Sequence, residues 1–329
     1  MDAINENKRY KMKYAPIALF TYNRPDKTKT VIESLLQNAE AKDSEVFIFS
    51  DGAKNEKAVE GVKANREYLH LLKNSLISNN KEISGFKSIT IIEREKNWGL
   101  ANSLIAGITD VINKYGRVIV VEDDLILSPY FLKFMNDGLE KYKDEDKVGA
   151  ISGFVYPVGT ELPNTFFLKY FNCWGWAIWK RSWNLLNLDT KYLLRKLRFH
   201  ANEFDYGGNG AYGNLYCQKI GIVNSWWVRL YASLFLANKL TLYPSFSLVA
   251  NNGSDGSGTH SGSEDYYGYS KVLTSGKSIE IKNSIIEETK TVRNIYIKYF
   301  NSLNKDAYII KQYKLLKSFI RRLLYIDCI

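Results

Sequence analysis

Apolar runs and polar breaks alternate along the first half of the chain. Residues 17–21 (IALFT) form a short apolar run, followed by the turn signal Asn23-Arg24-Pro25-Asp26 and a helical stretch to about residue 36. Pro25 suits a first helical turn, where its missing N–H costs nothing. Residues 46–50 (VFIFS) predict a second strand, stopped by Asp51-Gly52, and a long polar helix follows over 56–74. Residues 88–92 (SITII) predict a third strand; Asn97-Trp98-Gly99 then turns the chain into a helix ending near Tyr115-Gly116. Residues 118–121 (VIVV) predict a fourth strand, closed by Glu122-Asp123-Asp124, with a helix over 129–141 behind it. Strands alternating with helices imply an α/β fold with a parallel sheet. Three strand ends carry polar residues, and ligands of open α/β sheets bind beyond the carboxyl ends of strands. Those ends are expected to converge.

Beyond Ala150 the pattern changes. Residues 151–158 read as a strand, 166–183 are dense in aromatics, and 204–213 (FDYGGNGAYG) read as a glycine-rich loop. A helix is expected over 225–238, an extended segment over 241–249, and a flexible loop over 251–262 (NNGSDGSGTHSG). Ile309, Tyr313, Leu316, Ile320 and Leu323 fall on one helical face, with Lys311, Lys314, Lys317, Arg321 and Arg322 around it. The expected organisation is an α/β half over 1–150, an acceptor-side half of the same domain over 151–275, and a basic helical extension over 276–329. No internal repeat is visible.

The chain has 329 residues, ample for a large core, and its 45% hydrophobic and 24% charged content is globular. Its formal charge of +10 favours anionic partners without choosing among nucleotides, nucleic acid and acidic lipid. No nucleic-acid-binding motif appears, so that partner is not expected. Three scattered cysteines, Cys173, Cys217 and Cys328, imply no disulfide framework and point to a reducing compartment. The opening MDAINENKRYKMKY has no apolar core, so no signal peptide is expected, and Asn252-Gly253-Ser254 is discounted as a glycosylation acceptor. A cytoplasmic protein follows, soluble or peripheral on the inner face of a membrane. The basic C-terminal face has two readings: contact with an anionic membrane, or a docked helix with its lysines in solvent.

Glu122-Asp123-Asp124 carries the chemistry. Three successive carboxylates at a buried strand end repel one another unless a cation or donor groups compensate. A hard divalent ion, Mn2+ or Mg2+, binds carboxylate and diphosphate oxygens together and neutralises charge on a departing diphosphate. Placement after VIVV, on the expected ligand side, favours this over a solvated loop.

The segment RVIVVEDDLILSPYFLKFM resembles the metal-binding segment of N-acetylglucosaminyltransferase I and its bacterial relatives, GT-A enzymes with a Glu-Asp-Asp form of the DxD motif. PIALFTYNRPDKTKTVIESLL looks like that family's first strand and helix, FSDGA like its second strand end, and REKNWGLANSLIAG like the turn before its next helix. The stretch from SWWVRLY to THSG resembles the elements that close over the donor, so the likeness spans residues 16–262. It implies a Rossmann-like, mostly parallel sheet flanked by helices, and a metal-dependent glycosyltransferase. The donor implied is a nucleotide diphosphate sugar, expected to be a UDP-sugar, and the acceptor a saccharide or lipid-linked glycan of surface polysaccharide synthesis. It assigns Asp124 to the metal, Asp123 to the ribose side, Glu122 to the sugar side and Asp51 to the base or ribose. Thr21, Asn23 and Arg24 fall where the first strand meets the nucleotide, and Arg94 and Asn97 in the turn flanking base and phosphates.

The family has an Asp before the Trp of the late helix; here the chain reads Val223-Asn224-Ser225-Trp226-Trp227. Neither Asn224 nor Ser225 is a strong base. Asp205 is the expected substitute, with Glu203, Asp255 and Glu264 as alternatives. Retention of configuration with Asn224 orienting groups, and loss of activity, also stay open. Arg229 has two readings, a phosphate contact or an ion pair, and His260 is expected to donate to the diphosphate from a closing loop. The cluster CWGWAIWKRSW reads mainly as core, with Trp174-Gly175-Trp176 reserved as an acceptor platform. Two competing functions remain: a sugar nucleotidyltransferase, against which TYNRPDKT lacks phosphate-loop glycines, and a degenerate nucleotide- or glycan-binding module.

Overall fold

The computed structural model describes residues 14–78, 85–253 and 277–303. Strands β1 (Ile17–Thr21), β2 (Glu45–Ser50), β3 (Ser88–Glu93) and β4 (Arg117–Glu122) alternate with helices α1 (Pro25–Leu36), α2 (Glu56–Ser78) and α3 (Leu100–Tyr115). After β4 come β5 (Leu125–Leu127), α4 (Phe131–Lys141), β6 (Val148–Ser152), β7 (Thr165–Leu168) and β8 (Trp176–Trp179). Helices α5 (Lys180–Trp183), α6 (Thr190–Leu197), α7 (Ala201–Phe204), α8 (Ala211–Lys219) and α9 (Trp226–Leu236) lead to β9 (Leu240–Pro244), β10 (Val249–Asn251) and α10 (Lys290–Ser302).

Eight strands form one sheet in the order β3-β2-β1-β4-β8-β6-β9-β7. β3, β2, β1 and β4 are mutually parallel. β8 is antiparallel to both β4 and β6, and β9 is parallel to β6, so β6 and β9 run in the direction of β4. Only β8 and β7 are reversed in this sheet. β1 and β4 are buried on both faces, as a sheet covered on both sides demands. Ala18, Phe20, Val118 and Val120 pack with α3 residues Leu104 and Ile108 on one face. Ile17, Leu19, Ile119 and Val121 pack with α1 and α4 on the other.

Trp176 is fully buried, stacked on Trp226 at 5.4 Å and edge-on to Phe171 at 5.1 Å. It belongs to the core and is no acceptor platform; half-buried Trp174 meets Phe154 at 4.6 Å. α10 sends Val292, Tyr296 and Phe300 into the same core, where they meet Tyr156, Tyr170 and Tyr243. The strand expected over 151–158 instead occupies 148–152. Gly153 leaves the ladder to donate to the Gly175 carbonyl at 2.7 Å. The glycine-rich stretch is a loop only between α7 and α8, where Tyr206, Gly207 and Gly210 all have positive φ. Among the described residues no helix is long and apolar enough to cross a membrane. The expected C-terminal amphipathic face lies outside the described residues.

Candidate functional site

Strand register gathers the polar ends. Thr21 pairs with Ser50, Ser50 with Glu93, and Phe20 with Glu122. Tyr22, Asp51, Arg94 and Asp123 therefore lie one step beyond the sheet, along a single rim.

Arg24 sits at the start of α1, where Pro25 fixes the first turn and the Thr28 N–H bonds the Arg24 carbonyl at 2.9 Å. That geometry sends its guanidinium across to the acidic triplet. Nη2 donates to Asp123 Oδ1 and, at 3.3 Å, to Asp124 Oδ2. The Tyr22 N–H donates to the other Asp123 oxygen at 3.4 Å. Burial, with the charges of Asp124 and Asp123, raises the Glu122 carboxyl to about 8, while Arg24 opposes the rise. Burial also lifts Asp123 to about 6, against the pull of Arg24.

Both rises favour the neutral acids in the fold. Their contribution to stability is therefore complete below the usual carboxylate range and is lost as pH climbs through the raised values. The chelator-treated protein is expected to melt at progressively lower temperature from about pH 5 to about pH 9, and a divalent ion such as Mn2+, if held by the triplet, to restore stability at the alkaline end. Thermal melts across that range, with chelator and with Mn2+, check this; a flat chelator profile contradicts it.

A second sheet closes over the triplet. β5 pairs antiparallel with β10, Leu125 opposite Asn251. The Asn252 N–H then reaches the Asp124 carbonyl at 2.7 Å, and Lys27 Nζ holds the Asn252 carbonyl at 2.5 Å. A Cβ on Gly253 would lie 2.7 Å from Asp124 Oδ2, so a larger residue there would push the Asp124 carboxylate from its place.

Asp51 organises the neighbouring turn. Its Oδ1 accepts from the backbone N–H groups of Gly52 at 3.0 Å and Trp98 at 2.9 Å. Its Oδ2 accepts from the Gly99 N–H at 2.9 Å and from Asn97 Nδ2 at 3.2 Å. The same Asn97 amide donates to the Gly52 carbonyl at 2.7 Å. Gly52 packs directly on the Lys96 peptide; a Cβ there would be 2.5 Å from the Lys96 carbonyl carbon. The turn so fixed lays Trp98 over the Arg94 guanidinium at 4.0 Å, with Phe49 at 5.7 Å. Arg66, on α2, ties these loops together through the carbonyls of Ser50, Asp51 and Arg94.

Nε and Nη2 of Arg94, and Nη1 of Arg24, are buried with no hydrogen-bond partner among the described residues. Buried guanidinium N–H groups without acceptors are costly, and an anion on this rim would satisfy them.

Thr21 is buried, its hydroxyl accepting from Asn65 Nδ2 at 3.1 Å. Asn23 is half-buried, its carbonyl pressed against Gly61. Asp205 lies apart from this set: its carboxylate accepts the Tyr212 N–H at 2.6 Å at the start of α8, and burial raises it. Asn224 is exposed and accepts from Arg229 Nη2 at 2.9 Å, while Arg229 Nε donates to the Ser225 carbonyl at 3.0 Å. Arg229 is buried with no ion pair among the described residues, and burial depresses its pKa. His260, Asp255 and Glu264 lie outside the described residues.

Among the described residues no three His, Cys, Asp or Glu side chains converge into a metal-ligand set. An ion such as Mg2+ or Mn2+ needs no such cage, since it takes one or two carboxylates and completes its shell with substrate phosphates and water. Asp124, the more open of the two aspartates, fits this role.

The sequence profile of Glycosyl transferase family 2 matches residues 17–212. That span covers more than half of the chain, including the rim and the acidic triplet. The chain belongs to glycosyl transferase family 2. No match was found among curated proteins. Family membership makes the chain a glycosyltransferase with a GT-A sheet, as the resemblance noted in the sequence led one to expect; the narrower N-acetylglucosaminyltransferase I likeness goes beyond what the family match shows. Sequence reading missed Lys27, Asn65 and Arg66 as parts of the rim. Only their nearness to strand ends in the fold singles them out, and no local motif does so.

Proposed function

We propose that this family 2 glycosyltransferase is metal-dependent, takes its sugar from a UDP-sugar, and delivers it to a saccharide or lipid-linked acceptor in surface polysaccharide synthesis. The reading is carried by one observation: along the carboxyl rim of the sheet two guanidinium groups keep buried N–H groups with no partner among the described residues, Arg24 against the acidic triplet after β4 and Arg94 farther along the rim, after β3. Cations and carboxylates side by side fit a ligand that is itself a metal–diphosphate, not a bare anion or a bare cation. Bound at Asp124 together with the diphosphate, Mn2+ or Mg2+ would neutralise negative charge on the leaving group. Arg94 contributes donors to the phosphates, and Trp98 holds its guanidinium in place. Asp123, fixed by Arg24 and the Tyr22 N–H, faces the ribose side. Glu122, pushed toward its neutral form, can donate a hydrogen bond to a sugar hydroxyl. The order of these pieces resembles the N-acetylglucosaminyltransferase I group.

Calorimetry with UDP, in Mn2+ and in chelator, tests this. UDP is expected to bind at least about tenfold more tightly with Mn2+, as a bridging ion requires. Metal-independent binding would overturn the metal role. Release of diphosphate from UTP and a sugar phosphate would favour a nucleotidyltransferase. A panel of UDP-sugars scored for metal-dependent hydrolysis then identifies the donor.

A further inference from the structure

We propose that the outer face of α6, with its junction to α8, is a docking surface for an anionic lipid bilayer. α6 turns Leu193, Leu194 and Leu197 into the core. Its other side exposes Lys191, Tyr192, Arg195 and Lys196, and Arg198 and Phe199 follow directly. No acidic residue occurs from Thr190 to Phe199, and the Asp189 carboxylate is engaged by the Tyr192 N–H at 3.0 Å.

Four cations in ten residues would by themselves suit any polyanion. The apolar groups beside them narrow the choice. Phe199 is 80% exposed, with the Arg198 guanidinium 4.2 Å from its ring. Leu188, just before the helix, is 50% exposed. α8 packs beside α6 and adds Tyr216, 51% exposed, with Lys219 Nζ 5.7 Å from its ring, and then exposed Ile220. Large apolar side chains left in water among unpaired-sign charges gain nothing from a soluble polyanion. At a bilayer interface they enter the headgroup region while the cations meet acidic lipid.

Topology gives this surface a direction. β9 runs parallel to the strands of the rim, and α9 precedes it antiparallel, so the first turn of α9 lies at the carboxyl side of the sheet. The chain reaches that turn from the end of α8, through Ile220. The docking surface therefore borders the acceptor side. That use, presenting a lipid-anchored acceptor to the cleft, rests on the transferase reading; membrane contact itself does not.

The test is co-sedimentation of the full chain with phosphatidylcholine vesicles with and without phosphatidylglycerol. Binding is expected only with the acidic lipid. Arg195→Gln/Lys196→Gln should weaken partitioning about twenty-five-fold, at about fivefold for each cation near the surface. Phe199→Ser should weaken it separately, and more visibly in high salt. Should the double variant fail to fold, Lys191→Gln alone should cost about fivefold. Equal binding by wild type and all variants overturns the proposal, as does absence of binding to acidic vesicles. So does sensitivity to the charge changes without sensitivity to Phe199→Ser, with equal retention on dextran sulfate, which would mark a soluble polyanion. UDP titration of the same preparations reports on the transferase reading independently.

Discussion

Asp124→Ala is expected to lower sugar transfer about a thousandfold while leaving the metal-free protein as stable as wild type or more so. The loss follows from removing the carboxylate proposed to share a divalent ion with the diphosphate; several kcal/mol of leaving-group stabilisation corresponds to a factor of about a thousand. The stability follows from repulsion. Asp124 is a cause of the raised Glu122 and Asp123 values, so its removal relieves both. The bond from the Asn252 N–H goes to the Asp124 main-chain carbonyl, so the variant keeps the clip between β5 and β10. A drop in activity joined to an unchanged or higher Tm separates a ligand role from a structural one. UDP titration should show the Mn2+ dependence vanish. Full activity in Asp124→Ala would place the metal elsewhere.

Asp51→Ala should act in the opposite manner, through the fold first. Four N–H donors converge on its two oxygens, and the side chain is nearly excluded from water. Stranding them costs about 1–3 kcal/mol for each donor that water cannot reach, giving a net loss of about 3 kcal/mol or more. The Asn97–Gly99 turn carries Trp98, and Trp98 carries Arg94, so UDP affinity should fall as well. Asp51→Asn is the sharper variant. Each oxygen of Asp51 faces two donors, so either orientation of the amide turns its NH2 against N–H groups. Its loss should come within about 1 kcal/mol of the alanine variant. Urea unfolding measures both; an Asp51→Asn protein as stable as wild type would refute the clamp.

The left half of the fold was legible because its strands are continuous apolar runs with abrupt polar ends. β1 matches the expected 17–21, and β2, β3 and β4 differ from expectation by one or two residues. The right half was less legible, because β8 is buried on both faces and written in tryptophan, which periodicity cannot tell from a helix face. β5 and β10 have three residues each and make sense only as partners more than a hundred residues apart. The site divides likewise. The triplet announces itself as three adjacent carboxylates. The cation that neutralises it, Arg24, lies 99 residues from Asp123, and the turn motif around it gives no sign of that bond. Asp51 resembled a ligand reader by position; its four internal hydrogen bonds are a tertiary fact with no local signature. α10 falls within the helical extension expected over 276–329, but its bounds and its packing into the core were not legible, because Val292, Tyr296 and Phe300 sit among lysines and polar residues that dilute the apolar face.

The place of β9 in the sheet sets where this protein can be divided. Similarity to the family ends at residue 212, yet β9 lies between β6 and β7, and Trp226 completes the stack on Trp176. A fragment trimmed to the shared segment would lack an interior strand, exposing the ladder edges of both its neighbours and one side of the tryptophan core. The evolutionary boundary and the mechanical boundary of the domain thus fall at different points in the chain.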